Sequence, residues 1–221
     1  SMEGDIANLP KIVELAEKYN ASIMVDDAHG LGVLGQNGSG TSNHFGLTDK
    51  VDLIMGTFSK SLASIGGFIA ADLDTINYLK HNARSLIFSA SIAPANAASV
   101  IAAVDLIQKE PERIQRLWDN THYAMAALKK AGFDTGHSVT PIIPILIRDD
   151  YKTFQLTKIA LERGIFVNPV VSPAVPSTSS LIRYSLMATH TTAQIDESVA
   201  VLSQIATEIG VFDQQESTVH K

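Results

Sequence analysis

The chain has 221 residues, of which 45% are hydrophobic and 18% charged, and its formal net charge is −6. This composition is typical of a globular protein with one large or two small domains, and the absence of cysteine excludes disulfides, thiolate metal sites and thiol nucleophiles. The sequence has no basic stripe, no signal peptide and no apolar run near the roughly 20 residues of a membrane helix, so we expect a cytoplasmic protein with no nucleic-acid partner and no transmembrane segment.

The first 105 residues have the pattern of an α/β unit. Asn8 is a candidate helix N-cap, and an apolar stripe follows Pro10 in the first turn. Three apolar runs predict buried strands at 22–25, 51–55 and 68–71, separated by a glycine-rich loop at 30–46 and a polar turn. This order predicts a mostly parallel sheet, whose chemistry is expected beyond the carboxyl ends of the strands, at Asp26 and Thr57.

From residue 92 onward the pattern changes to longer helices and a second set of strands. The predicted helices are 94–109, 111–131, 151–163 and 193–209, and the predicted strands are 142–147, 165–167 and 181–186. We therefore predict a large domain at 1–105 and a small α+β domain at 106–221, joined by a long helix. The polar tail from Asp213 to Lys221 is expected to fray.

Lys60 is the residue around which the candidate chemistry gathers. It lies in a serine-containing turn just after the strand that ends at Thr57. A Walker-type phosphate loop is excluded, because Ser59 stands where that motif needs glycine. The remaining interpretations are a solvated loop lysine or an amine that forms an imine with a carbonyl cofactor such as pyridoxal.

An imine-bound pyridoxal needs a carboxylate beside its ring nitrogen, and Asp26 is placed at a strand end to supply one. Thr57 could offer its hydroxyl to a phosphate, and His29, three residues after Asp26, could bind the phenolic oxygen of the cofactor. Alternation along the strand turns Asp27 the opposite way, so only one carboxylate of the pair should reach the ring.

Other interpretations of these residues remain open. Asp26 and Thr57 could cap or form turns, and His29 could be an ordinary loop histidine. A metal site built from Asp26, Asp27 and His29 is the competing chemistry. Adjacent carboxylates diverge and no third ligand at a metal-binding spacing is present, so we predict no metal.

Several segments, in order and at this spacing, resemble the α-oxoamine synthases, which are fold-type I pyridoxal 5′-phosphate enzymes. These enzymes join an amino acid to an acyl thioester with loss of carbon dioxide. The segments that carry the resemblance are 25–35 (VDDAHGLGVLG), 56–61 (GTFSKS), 87–91 (IFSAS), 94–98 (PANAA), 167–169 (VNP), 173–176 (PAVP), 182–185 (IRYS) and 188–191 (ATHT). The resemblance extends to about Gly210.

The resemblance implies a fold-type I transferase fold and assigns roles to individual residues. Lys60 would hold pyridoxal phosphate as a Schiff base and transfer the proton, while Asp26 would pair with the pyridine nitrogen. His29 would contact the phenolic oxygen and Thr57 the phosphate. Arg183 matches the arginine that binds the carboxylate of the amino-acid substrate.

The family resemblance also implies a homodimer with its active sites at the interface. Ser89 and Ser91 are candidates to reach the phosphate of the neighbouring subunit, although Ala90 departs from the threonine that many relatives have nearby. The alternative is that both serines cap the helix beginning near Pro94.

Residues 56–68, 167–169 and 172–176 most resemble the bacterial serine palmitoyltransferase branch of the family. This implies L-serine and a long-chain acyl-CoA as substrates and a 3-ketosphinganine-type product. Two other branches, 2-amino-3-ketobutyrate CoA ligase and 8-amino-7-oxononanoate synthase, share most of these motifs, so their reactions remain alternatives. A non-catalytic partner or an inactive fragment is a further alternative.

Family members are about twice this length, so we expect a missing amino-terminal half that leaves a sheet edge and an apolar face uncovered.

Overall fold

The computed structural model describes residues 1–213, which divide into two compact units. The first unit comprises residues 7–114, and the second joins residues 1–6 to the described residues from Gln115 onward. The predicted domains at 1–105 and 106–221 stay a prediction. Of the tail predicted to fray, only Asp213 belongs to the described residues.

The first unit combines a small sheet with helices. In chain order its elements are α1 (Leu9–Tyr19), β1 (Met24–Asp26), α2 (Thr41–His44), β2 (Leu53–Thr57), β3 (Gly67–Ala70), α3 (Leu73–Asn82), α4 (Arg84–Ile87) and α5 (Pro94–Lys109), and α6 (Glu112–Lys130) begins at its end.

The sheet of the first unit has the strand order β1-β2-β3. Strands β1 and β2 are parallel, with Asp26 opposite Met55, whereas β2 and β3 are antiparallel, with Thr57 opposite Gly67. The sheet is therefore mixed, because an apolar run of four residues does not encode the direction in which a strand pairs. The parallel pair still brings the carboxyl ends of β1 and β2 to one edge.

Local signals at the helix ends explain where α1 and α5 begin. The Asn8 side chain accepts a hydrogen bond from the backbone N–H of Lys11 at 3.2 Å, as expected of an N-cap. Helix α5 begins at Pro94, as predicted, because proline suits the first helical position. Helix α3 was not predicted; its cap is Asp72, which accepts from the N–H and the hydroxyl of Thr75 at 2.9 and 2.6 Å. None of its side chains is buried, although Leu73, Ile76 and Leu79 have the spacing of an apolar helical stripe.

The second unit is an antiparallel sheet packed against helices. After the rest of α6, its elements are β4 (Ile142–Leu146), α7 (Asp150–Glu162), β5 (Asn168–Val170), β6 (Leu181–Ser185) and α8 (Thr192–Glu208). The strand order is β4-β6-β5, and both pairings are antiparallel. Fully buried apolar side chains from every layer form its core, including Leu128, Ile143, Leu156, Ile182 and Leu202.

Strand β5 begins three residues later than predicted, at Asn168, and contains Pro169. A proline has no backbone N–H to donate, so it is tolerated in a strand only at an edge. Strand β5 is an edge strand of this sheet, and its position there explains why the proline does not end it.

Several apolar side chains of the first unit are exposed. Strand β1 pairs only with β2 among the described residues, and Met24 on it is 58% exposed. Leu73 is 73% exposed and Phe88 is 79% exposed. None of the helices within residues 1–213 is long and apolar enough to cross a membrane.

Candidate active site

Two candidate residues end neighbouring parallel strands. Asp26 is the last residue of β1, and Thr57 is the last residue of β2. Because Asp26 lies opposite Met55, Thr57 stands two residues further along the adjacent strand. Asp26 is exposed and Thr57 is partly buried. The two side chains therefore belong to the same edge of the sheet, where the loop carrying Lys60 begins.

Lys60 lies at the tip of a loop that is closed by its own backbone. The N–H of Phe58 donates to the Gly66 carbonyl at 2.9 Å, and the N–H of Ser64 donates to the Phe58 carbonyl at 2.8 Å. Leu62 is buried and anchors the loop. Lys60 itself is exposed, and its Nζ lies 3.2 Å from the Thr57 Oγ1. The structure thus brings the candidate amine and hydroxyl into contact.

A strained residue follows the lysine. Ala63 has a φ of +48°, in the left-handed region that costs a non-glycine residue about 1–2 kcal/mol. Its N–H donates to the Lys60 carbonyl at 3.1 Å, which closes a tight turn around residues 60–63. Strained residues of this kind persist only where surrounding contacts hold them, and they cluster at functional sites.

The adjacent carboxylates Asp26 and Asp27 differ in their surroundings, as alternation along a strand predicts. One oxygen of Asp26 accepts from the N–H of Ala28 at 3.0 Å, which is a turn-forming role, and the residue is exposed. The side chain of Asp27 is buried. It accepts from the N–H and the hydroxyl of Thr41 at 2.7 and 2.6 Å.

The buried pair of Asp27 and Thr41 was not anticipated as a feature of the site. The sequence signal for this buried pair was the presence of glycine at positions 30 and 40. The structure shows the reason for these glycines, because a Cβ at either position would clash with the Asp27 carboxylate. Within residues 1–213 no three His, Asp or Glu side chains are grouped so that they could hold a metal ion.

His29 lies in a tight turn at the start of the segment after β1. The N–H groups of Gly30 and Leu31 both donate to the Asp27 carbonyl, at 3.1 and 3.0 Å, so the chain reverses around His29. The His29 residue is partly buried. It belongs to the same unit as Asp26, Thr57 and Lys60.

Ser89 and Ser91 lie between α4 and α5, and both are exposed. The hydroxyl of Ser89 donates to the Leu86 carbonyl at 3.1 Å, so it closes the end of α4. The N-cap of α5 is Ala93, which makes no side-chain capping bond. The alternative that these serines cap the helix at Pro94 is therefore wrong.

Arg183 lies in the second unit, on the central strand β6. Its Nε donates to the backbone carbonyl of Ser1 at 2.8 Å. Burial lowers the pKa of its guanidinium from the usual value, although arginine stays charged across any ordinary pH range. The sequence-predicted site residues therefore divide between the units: Asp26, His29, Thr57, Lys60 and Ser91 are in the first and Arg183 is in the second.

The carbonyl of Ser1 is held near Arg183 by a tightly packed leading segment. Gly4 has a φ of +70°, and a Cβ added there would stand 1.9 Å from the Ile142 carbonyl oxygen. The Gly4 carbonyl accepts from the N–H of Val139 at 3.0 Å. Only glycine fits this close approach, so the leading segment is fixed against β4, the strand beside β6.

Comparison with known proteins yields one family match and a consistent set of relatives. The model of the family described as aminotransferase class I and II matches residues 1–202. A serine palmitoyltransferase from Sphingobacterium spiritivorum is 61% identical over 205 residues, which cover 93% of this chain and 51% of that protein. An 8-amino-7-oxononanoate synthase from Thermosipho melanesiensis is 45% identical over 96% of this chain and 54% of its own length.

A solved structure agrees with these relatives. The serine palmitoyltransferase from S. paucimobilis with a bound PLP–myriocin aldimine superposes with a TM-score of 0.90 at 32% identity, covering 96% of this chain and 54% of that one. The predicted resemblance and the fold-type I transferase fold are confirmed. The chain spans about half the length of the relatives it matches.

Proposed function

Because the chain belongs to the aminotransferase class I and II family, we propose that it supplies the lysine and its neighbouring ligands in an enzyme that binds pyridoxal 5′-phosphate. The proposed reaction joins L-serine to a long-chain acyl-CoA. The observation that carries this proposal is the contact between Lys60 and Thr57, 3.2 Å from Nζ to Oγ1. It lies at the edge of the sheet where β1 ends at Asp26 and β2 ends at Thr57. The relatives named serine palmitoyltransferase support the choice of substrates.

The chemistry of the residues at this edge fits the cofactor. Asp26 offers an exposed carboxylate for a ring nitrogen, and Thr57 offers a hydroxyl for a phosphate. The amine of Lys60 is exposed on a loop that its own backbone closes, so it can reach a carbonyl group at the edge without unfolding the turn. A carboxylate, a hydroxyl and an amine are the set that a pyridine ring, a phosphate and an aldehyde require.

Each residue has a separate task in the proposed reaction. Pyridoxal phosphate, when bound, supplies a protonated ring that withdraws electrons from the α-carbon of the substrate. The Lys60 amine would hold the cofactor covalently through its aldehyde and would serve as the base for the α-proton of the amino acid. Asp26 would keep the proton on the ring nitrogen, His29 would bind the phenolic oxygen and Thr57 would bind the phosphate.

Arg183 is proposed to bind the carboxylate of the amino acid. Its planar guanidinium offers paired N–H donors that match the two oxygens of a carboxylate. Its Nε bond to the Ser1 carbonyl would orient the group before the substrate arrives.

The bonds of the proposed reaction balance without an oxidant or reductant. A carbon–carbon bond forms between the α-carbon of serine and the acyl carbonyl carbon, and the thioester C–S bond breaks. The sulfur leaves as CoA and takes up a proton. The bond to the carboxyl carbon then breaks, carbon dioxide leaves, and a proton replaces it on the α-carbon. The product is a 3-ketosphinganine-type amino ketone.

The amino-acid choice is tested by a substrate panel with the intact enzyme. We expect CoA release from palmitoyl-CoA with L-serine to exceed that with L-alanine or glycine at least about tenfold, because a site built to bind a hydroxyl discriminates against substrates that lack it. Thiol release measured against time for each pair gives the comparison. Release with L-alanine and a seven-carbon dicarboxylic acyl-CoA, added to the panel in place of palmitoyl-CoA, would favour the second candidate, an 8-amino-7-oxononanoate synthase, which the relative from Thermosipho melanesiensis supports. No release with any pair would favour a non-catalytic partner.

Assembly is proposed to be a homodimer in which Ser91 reaches the phosphate bound by the neighbouring subunit. The exposure of Ser91 and of Phe88 beside it, which is 79% exposed, supports an interface there. Ser91→Ala is expected to weaken cofactor retention about 10- to 100-fold, since a hydrogen bond to a charged group contributes about 1.5–3 kcal/mol.

Equilibrium dialysis of the cofactor and sedimentation at micromolar protein test this proposal together. Ser99→Ala is the matched control, because the Ser99 hydroxyl donates to the Ala95 carbonyl of its own helix at 3.0 Å. A fully active monomer would remove the shared site and leave the chemistry of Lys60 untouched.

A further inference from the structure

We propose that Asp27 is a positioning residue for Lys60. Its carboxylate fixes the position of the glycine-rich segment at residues 30–40. This segment in turn holds the loop that carries the lysine, because Ser61 of that loop is hydrogen-bonded to it. The inference rests on the proposed function, since the role of Lys60 comes from there. It concerns a carboxylate that the proposed reaction does not use.

The carboxylate of Asp27 joins two distant parts of the chain. It is only 5% exposed, and its two oxygens accept from the N–H and the hydroxyl of Thr41, at 2.7 and 2.6 Å. The backbone N–H of Asp27 donates to the Met55 carbonyl at 2.8 Å, which ties the residue to β2. A buried carboxylate is tolerated only with such donors, so the position of Thr41 is coupled to the end of the sheet.

The glycine-rich segment is built closely around this carboxylate. A Cβ added to Gly30 would lie 2.0 Å from the Asp27 Oδ1, and one added to Gly40 would lie 2.1 Å from its Oδ2. Inside the segment, the N–H of Gly32 donates to the Gly38 carbonyl at 2.7 Å. The path of the segment therefore depends on a small, charged acceptor at position 27.

The same segment touches the residue next to the lysine. The hydroxyl of Ser61 donates to the Leu31 carbonyl at 2.8 Å, and a Cβ added to Gly32 would lie 2.6 Å from the Ser61 Cβ. Lys60 and Ser61 are themselves exposed, and the strained Ala63 follows them. A shift of the segment would therefore move or loosen Lys60.

The first test compares Asp27→Ala with Asp27→Asn in the intact enzyme. In the alanine variant we expect borohydride trapping of pyridoxal phosphate at Lys60 to slow at least about tenfold, since small displacements of a reacting group can cost about 10²-fold. Hydrogen exchange in residues 58–66 should become faster. Asp27→Asn should recover most of the loss, because its amide can accept from the Thr41 N–H and donate to the Thr41 hydroxyl.

Ser61→Ala decides the matter if Asp27→Ala fails to fold, because it removes only an exposed hydroxyl and its bond to Leu31. It should also slow trapping at Lys60 and speed exchange in the loop. The matched control is Ser39→Ala, which deletes an exposed hydroxyl of the same segment, bonded to the Gln36 carbonyl at 2.6 Å. This control should trap and exchange as the wild type does.

The outcomes separate the inference from the proposed function. Wild-type rates of trapping and of loop exchange in Ser61→Ala, or in a folded Asp27→Ala, would overturn the positioning role. A wild-type enzyme that is never labelled at Lys60 would overturn the proposed function instead, while faster exchange in the variants would still support the coupling of Asp27 to the loop.

Discussion

Lys60→Ala is expected to abolish turnover of the intact enzyme while its fold and its noncovalent cofactor binding persist. The side chain is exposed and its one described hydrogen bond is to Thr57, so its loss should change the free energy of unfolding by less than about 0.5 kcal/mol. The loss of proton transfer alone should lower kcat by about 10²–10⁴-fold, and loss of the covalent link adds to this. No lysine nearby in the sequence can replace it, since the flanking lysines are Lys50 and Lys80.

Borohydride reduction followed by peptide mapping tests the same residue directly. The pyridoxyl label should appear on the wild-type peptide that contains Lys60 and disappear in Lys60→Ala. Lys50→Ala is the matched control, because Lys50 is exposed and pairs with Glu17 at 2.7 Å, a surface ion pair of small energetic weight. A label on Lys50 or Lys80 in the wild type would contradict the central proposal.

Asp26→Asn is the second variant with a large expected effect. Asparagine can still accept the hydrogen bond from the Ala28 N–H, 3.0 Å away, so the turn after β1 should survive. In the proposed role Asp26 keeps the ring nitrogen protonated, so the variant would lose the negative charge that holds this proton. We expect kcat to fall about 10²–10³-fold, the scale of about 2.7–4 kcal/mol for a key electrostatic contact.

Steady-state kinetics and thermal unfolding of the same preparation check this prediction. The melting temperature should stay within a few degrees of the wild type while kcat falls. Asp27→Asn gives a contrast within the same dipeptide. The Asp27 carboxylate is bound to Thr41, and an asparagine amide can replace both bonds, so the expected effect of this variant on kcat is small. Activity of Asp26→Asn within threefold of the wild type would remove Asp26 from the reaction.

Much of the fold followed from short-range signals in the sequence. The N-cap at Asn8, the start of α5 at Pro94 and the strand ends at Asp26 and Thr57 were all predicted. These features depend on hydrogen bonds and apolar spacing within a few residues, which the sequence displays directly. Helix α3 was missed although Asp72 is a suitable N-cap and Leu73, Ile76 and Leu79 follow at helical spacing.

The candidate site divides in the same way. The residue types at Asp26, Thr57 and Lys60, and their places after successive strands, followed from the sequence by itself. The antiparallel direction of β3, the bond from Thr41 to Asp27 and the bond from Ser61 to Leu31 were decided only by the tertiary structure. The two bonds join residues 14 and 30 positions apart. Such contacts depend on the path of the glycine-rich segment between them, and no local periodicity records that path.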